Sequence, residues 1–215
     1  VSLQEAPALK PWIETAQVLG SFVGQVTFDA IKQIEIEFVG DVGNLNMRPL
    51  TSVLTAALLR PFIGDEGVNM VSAQAIARDR GIKITEIRKD SQGAFGSYIR
   101  LIVLTEDRTS SVAGTVYSDG KPRFIQIGGI NLEAEPQPFM LYTINEDSPG
   151  FIGSLGTKLG SLGINIASFA LGRTTKKGQA IALLGVDEKL NSKDISEILK
   201  LPKVISAQAL EFCGY

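Results

Sequence analysis

The alternation of apolar and polar residues along this chain breaks at Glu133-Ala134-Glu135-Pro136-Gln137-Pro138 and then starts afresh. Proline has no backbone N–H to give to a helix or a sheet, so two prolines in three residues mark a connector. A chain of 215 residues interrupted there yields two segments, each able to bury its own core. We read residues 1–24 as a leading helix, 25–135 as a first domain and 138–212 as a second.

In the first segment, Trp12, Ala16, Leu19 and Val23 recur at three- and four-residue steps and predict a helix over residues 8–22. Ile34, Ile36 and Phe38 alternate with Gln33, Glu35 and Glu37 as in a strand with one wet face. Helices are expected over residues 48–61, ended by Pro61, and over 68–80, closed by Gly81. From Ile82 to Ile130 the chain reads as strands separated by Gly and Asp turns. The expectation is α+β, with an antiparallel sheet carrying helices.

The second segment predicts a strand over 139–144 and a helix over 149–162 opened by Ser148 and Pro149. Strands over 164–171 and 179–186, joined by a turn at 174–178, a helix capped by Ser192 and a last strand over 203–210 complete it. The order βαββαβ is ferredoxin-like.

Composition narrows the function. With 21 basic against 23 acidic residues, no excess positive charge is available to collect phosphates, and nucleic acid is not an expected partner. The chain contains no histidine. It therefore cannot build a Ser/His/Asp or Cys/His nucleophile, a histidine zinc site or an imidazole base. Neither a catalytic residue nor a metal ligand set is expected. Cys213 stands alone, cannot close a disulfide within the chain and fits a reducing compartment as an inert thiol. No apolar run reaches the length of a spanning helix and no secretory signal opens the chain. No membrane partner and a cytoplasmic location are expected, or a plastid one where a transit peptide has been removed.

Asn145-Glu146-Asp147-Ser148-Pro149-Gly150 falls where the first strand of the second segment meets its helix. A helix start offers free N–H groups that suit a carboxylate, and Gly150 lets a ligand approach the backbone. Asn145 and Asp147, two apart, can point the same way, one toward a carboxylate and the other toward an ammonium. Asn165 in Gly163-Ile164-Asn165-Ile166 would supply a third polar arm. Spacing alone leaves a plainer reading open, in which Asp147 and Ser148 are ordinary cap and turn residues. Gly150, Gly153, Gly156, Gly160 and Gly163 lack the Gly-Lys-Ser/Thr of a phosphate loop and are read as helix-packing positions.

Asn145-x-Asp147-x-Pro149-Gly150 followed by Gly163-Ile164-Asn165-Ile166 resembles an ACT domain. Upstream, Leu9-Lys10-Pro11-Trp12, Arg48-Pro49-Leu50-Thr51, Val68-Asn69-Met70-Val71 and Ala77-Arg78-Asp79-Arg80-Gly81-Ile82 resemble the C-terminal part of the long-form D-3-phosphoglycerate dehydrogenases. That resemblance implies an allosteric substrate-binding domain followed by an ACT domain, cut from an NAD-dependent catalytic half. It implies no cofactor and no catalysis in this part. It also implies L-serine as feedback effector at Asn145, Asp147, Gly150 and Asn165, a homo-oligomer paired through the ACT domain with serine at the seam, and an anion site at Lys121 and Arg123. The departure is at Asn145, where the bacterial serine-sensing pattern has histidine. The regulatory part of an iron-sulfur L-serine dehydratase and a ligand-free oligomerisation module remain as alternatives.

Overall fold

The computed structural model describes residues 6–64, 67–91, 93–175 and 178–212. Cys213, the first five residues of the leading helix and Lys176 and Lys177 of the expected turn lie outside the described residues. Contacts divide the chain into residues 1–128 and 129–215.

In the first unit, helix α1 (Ala6–Val26) buries Ala16, Leu19 and Val23. Helix α2 (Met47–Ile63) buries Leu50, Leu54 and Leu58. The two helices meet closely at Gly20 and Gly24, where an added Cβ would stand 2.2 Å from the Leu54 carbonyl oxygen and 2.5 Å from that of Leu58. Strands β1 (Gln33–Val39), β2 (Lys83–Lys89), β3 (Tyr98–Leu104), β4 (Thr109–Val116) and β5 (Pro122–Ile127) run in the order β2-β1-β3-β4-β5. Phe22 of α1 tilts against Phe124 of β5 with ring centroids 5.4 Å apart.

The expected α+β class holds, and the structure differs from expectation in four details. β1 and β2 pair parallel, Gln33 opposite Lys83 through Val39 opposite Lys89, so the sheet is mixed. The long connection through α2 and a second helix, α3 (Ala73–Asp79), allows this crossover, which a hairpin could not make. Pro61 lies inside α2, and the helix ends at Gly64 with φ 94°. Helix α3 is shorter than expected (Ala73–Asp79) because Asn69 Oδ1 accepts from the N–H groups of Val71 and Ser72 and folds that stretch into a turn. A short 3₁₀ turn (Gly40–Asn44) follows β1, a fourth difference from the expected elements.

The second unit opens with β6 (Ile130–Ala134), inside the stretch read as the end of the first domain and the start of the connector. Strands β7 (Phe139–Glu146), β8 (Ile166–Arg173), β9 (Gln179–Val186) and β10 (Val204–Glu211) form a sheet in the order β10-β7-β9-β8, all antiparallel. With α4 (Phe151–Ser161) and α5 (Ser192–Leu199) this is the ferredoxin-like order. Leu141, Leu184, Val186, Phe151, Leu155, Leu159 and Ile198 make its core. Asn191, not Ser192, caps α5, through a reciprocal capping box with Asp194. Among the described residues no helix is long and apolar enough to cross a membrane.

Candidate functional site

The β7–α4 loop is built by the end of one ladder and the start of one helix. Asn145 still pairs on both sides, with Ala180 of β9 and Val204 of β10, so it is strand interior and only 1% exposed. Its Nδ2 donates to the Glu146 carbonyl at 3.0 Å, while its Oδ1 is buried with no hydrogen-bond partner. Thr143, two residues earlier on the same strand face, is also buried with an unpartnered hydroxyl. A buried polar atom without a partner is costly, and two of them lie on one face of β7 near its end.

Asp147 lies beyond the ladder and points elsewhere. Its N–H donates to the Gly178 carbonyl at 2.8 Å, and its Oδ2 accepts from Arg173 Nη1 at 3.0 Å. Glu146 beside it pairs with Lys203 at 2.6 Å. Sequence spacing had Asn145 and Asp147 projecting together; the structure buries the first and sets the second at the rim. Gly150 is the residue before α4, with φ 85° and no side-chain cap, so Ser148 and Pro149 do not open the helix as expected. An added Cβ at Gly150 would meet nothing within 4 Å, so glycine is required there for its left-handed backbone and not for room. An open cleft of about 600 Å³ is lined by Gly150, Gly153, Ser154, Thr157, Lys158 and Leu201, among others. Gly153, Gly156 and Gly160, read as helix-packing positions, likewise face open space within this chain.

Asn165 is at the other end of the sheet. It precedes Ile166, which pairs with Val186 opposite Phe139, whereas Asn145 pairs with Ala180 opposite Arg173. Eight strand residues at roughly 3.3 Å each put Asn165 about 26 Å along β8 from the Asp147–Arg173 pair. Its Nδ2 donates to Asp187 Oδ2 at 2.7 Å. One chain thus brings together Asn145, Asp147 and Gly150 but not Asn165.

The expected anion site is already engaged. Arg123 Nη2 donates to Asp119 Oδ2 at 2.9 Å, its Nη1 donates to the Pro122 carbonyl, and its guanidinium lies 5.0 Å from the Tyr117 ring centroid. The Lys121 N–H donates to Asp119 Oδ1. That backbone bond first, and the Arg123 charge after it, hold the Asp119 carboxyl below its usual range.

Sequence reasoning missed Arg173 and Thr143. It also missed a cleft of about 470 Å³ in the first unit, lined by Gln74 and Arg78 on one helix face, by Ile82 just before β2, and by Ile84 and Glu86 on one face of that strand. The i,i+4 and i,i+2 spacings were the available signal.

Residues 8–128 match the family model described as the D-3-phosphoglycerate dehydrogenase intervening domain. The chain is 30% identical over 207 residues to D-3-phosphoglycerate dehydrogenase of Bacillus subtilis, covering 96% of this chain and 39% of that protein. It is 31% identical to the Synechocystis protein of the same name, covering 94% and 37%. To the chloroplastic D-3-phosphoglycerate dehydrogenase 2 of Arabidopsis thaliana it is 27% identical, covering 88% and 33%. The chain therefore spans less than two fifths of the length of these relatives.

Proposed function

Since the chain belongs to the D-3-phosphoglycerate dehydrogenase family through its intervening domain, we propose that its regulatory part works as a feedback sensor that binds L-serine and pairs with a second copy. The observation that carries this is the β7–α4 loop, where the Asp147 carboxylate, paired with Arg173, stands beside a helix start that favours a carboxylate. Asn165 completes the site only when supplied by a second chain, because its own is about 26 Å away along β8. The small residues on the outward side of α4, with open space at Gly153, Gly156 and Gly160, would let a second helix approach closely.

NAD and the phosphoglycerate chemistry belong to the catalytic half of such an enzyme, and this chain alone turns nothing over. Serine alters distant catalysis by preferring one arrangement of paired subunits, a coupling of about 1–3 kcal/mol. The Lys121–Arg123 turn is a weaker candidate for an anion, since Arg123 must first leave Asp119. Two chloroplastic plant relatives support the plastid alternative to a cytoplasmic setting.

Calorimetric titration of the purified chain with L-serine, D-serine and glycine tests this reading. Stereoselective binding that is lost in Asp147→Ala supports it. Silence toward all three amino acids overturns it.

A further inference from the structure

We propose that Arg173 is a specificity-determining residue of the same site, the anchor for the effector carboxylate, and that the Asp147–Arg173 pair selects an α-amino-acid zwitterion. This inference rests on the amino-acid reading of the β7–α4 loop. Asp147 does not stand open to an incoming ammonium, because Arg173 Nη1 already occupies its Oδ2 at 3.0 Å. Glu146, the other carboxylate of the loop, is held by Lys203.

A ligand that takes Asp147 must displace a guanidinium. A simple amine would leave Arg173 without the Asp147 carboxylate. A zwitterion supplies both groups: its ammonium goes to Asp147 and its carboxylate goes to Arg173. Arg173 suits the exchange because its side chain is 51% exposed and free to swing, while its forked donors match a carboxylate with two parallel hydrogen bonds. Asp147 is held more firmly, through its N–H bond to the Gly178 carbonyl and a side chain only 21% exposed. The mobile partner is therefore the cation.

The test is calorimetry on the full 215-residue chain with L-serine, L-serinamide and ethanolamine, using wild type, Arg173→Ala and Arg173→Lys. Wild type should bind serine and reject the two amines. Arg173→Ala should weaken serine about 10- to 100-fold, the loss of one charge-assisted hydrogen-bonded contact, and should no longer distinguish serine from serinamide. Arg173→Lys, which keeps the charge and loses the fork, should fall between them. Serine binding that is unchanged in Arg173→Ala, or weakened with the preference over serinamide intact, overturns the role of Arg173 and leaves the sensor reading in place. Failure of wild type to bind any amino acid overturns both. Arg173 is exposed, so its variants keep the fold, and an unaltered circular dichroism spectrum of each variant checks it.

Discussion

Gly20 of α1 stands against the backbone carbonyl of Leu54 in α2, so close that a Cβ on Gly20 would lie 2.2 Å from that oxygen. Neither partner can yield by a rotamer change, since one side of the contact is helix backbone. In an open helix position alanine gains about 1 kcal/mol over glycine. Gly20→Ala is expected to reverse that sign and destabilise by about 1–3 kcal/mol through overpacking. Urea denaturation of the variant measures it, and a stabilised variant would contradict the packing.

Gly160 of α4 is the opposite case, with nothing within 4 Å of an added Cβ. Gly160→Ala is expected to stabilise the isolated fold by about 0.5–1 kcal/mol. If this side of α4 is where a second copy approaches, the same change weakens self-association. A thermal melt paired with sedimentation velocity separates the two effects.

Glu37 is buried on β1 and pairs with Lys89 and with Arg100, the latter at 3.0 Å. Glu37→Gln leaves two cations facing a neutral amide. Breaking a fully buried pair costs about 3–5 kcal/mol; because Lys89 and Arg100 retain partial exposure, about 2–3 kcal/mol is expected here. Chemical denaturation should show the loss, with a smaller one in Lys89→Met than in Glu37→Gln.

Burial pushes the Tyr142 hydroxyl up to about 12 from 10.0. Its folded value lies above its unfolded one, so its contribution is fully present below pH 10 and is lost as the pH rises toward 12. Between pH 9 and 11 wild type should lose on the order of 1 kcal/mol more than Tyr142→Phe. Parallel urea curves for the two proteins at those pH values would reveal the difference, and equal losses would contradict it.

Periodicity located the helices and strands because burial on one face leaves a 3.6- or 2-residue imprint, as at Ala16, Leu19 and Val23 or at Ile34, Ile36 and Phe38. The parallel pairing of β1 with β2 left no such imprint, since both pairings bury the same residues and only the crossover decides. Pro61 misled because the last turn of α2 carries it without breaking. The loop at Asn145–Gly150 was legible as a helix start. Its Arg173 partner was not, because a contact 26 residues away depends on strand register. The same register puts Asn165 at the far end of the sheet.

The two-chain site is the central claim, and mixing two disabled variants tests it most directly. Asp147→Ala and Asn165→Ala should each fail to bind L-serine alone, because every seam in either homodimer lacks one arm. Equal amounts mixed and allowed to exchange should form mixed dimers in which one of the two seams is intact, restoring binding to about one quarter of a site per chain. No recovery on mixing, or full serine binding by Asn165→Ala alone, would contradict the account.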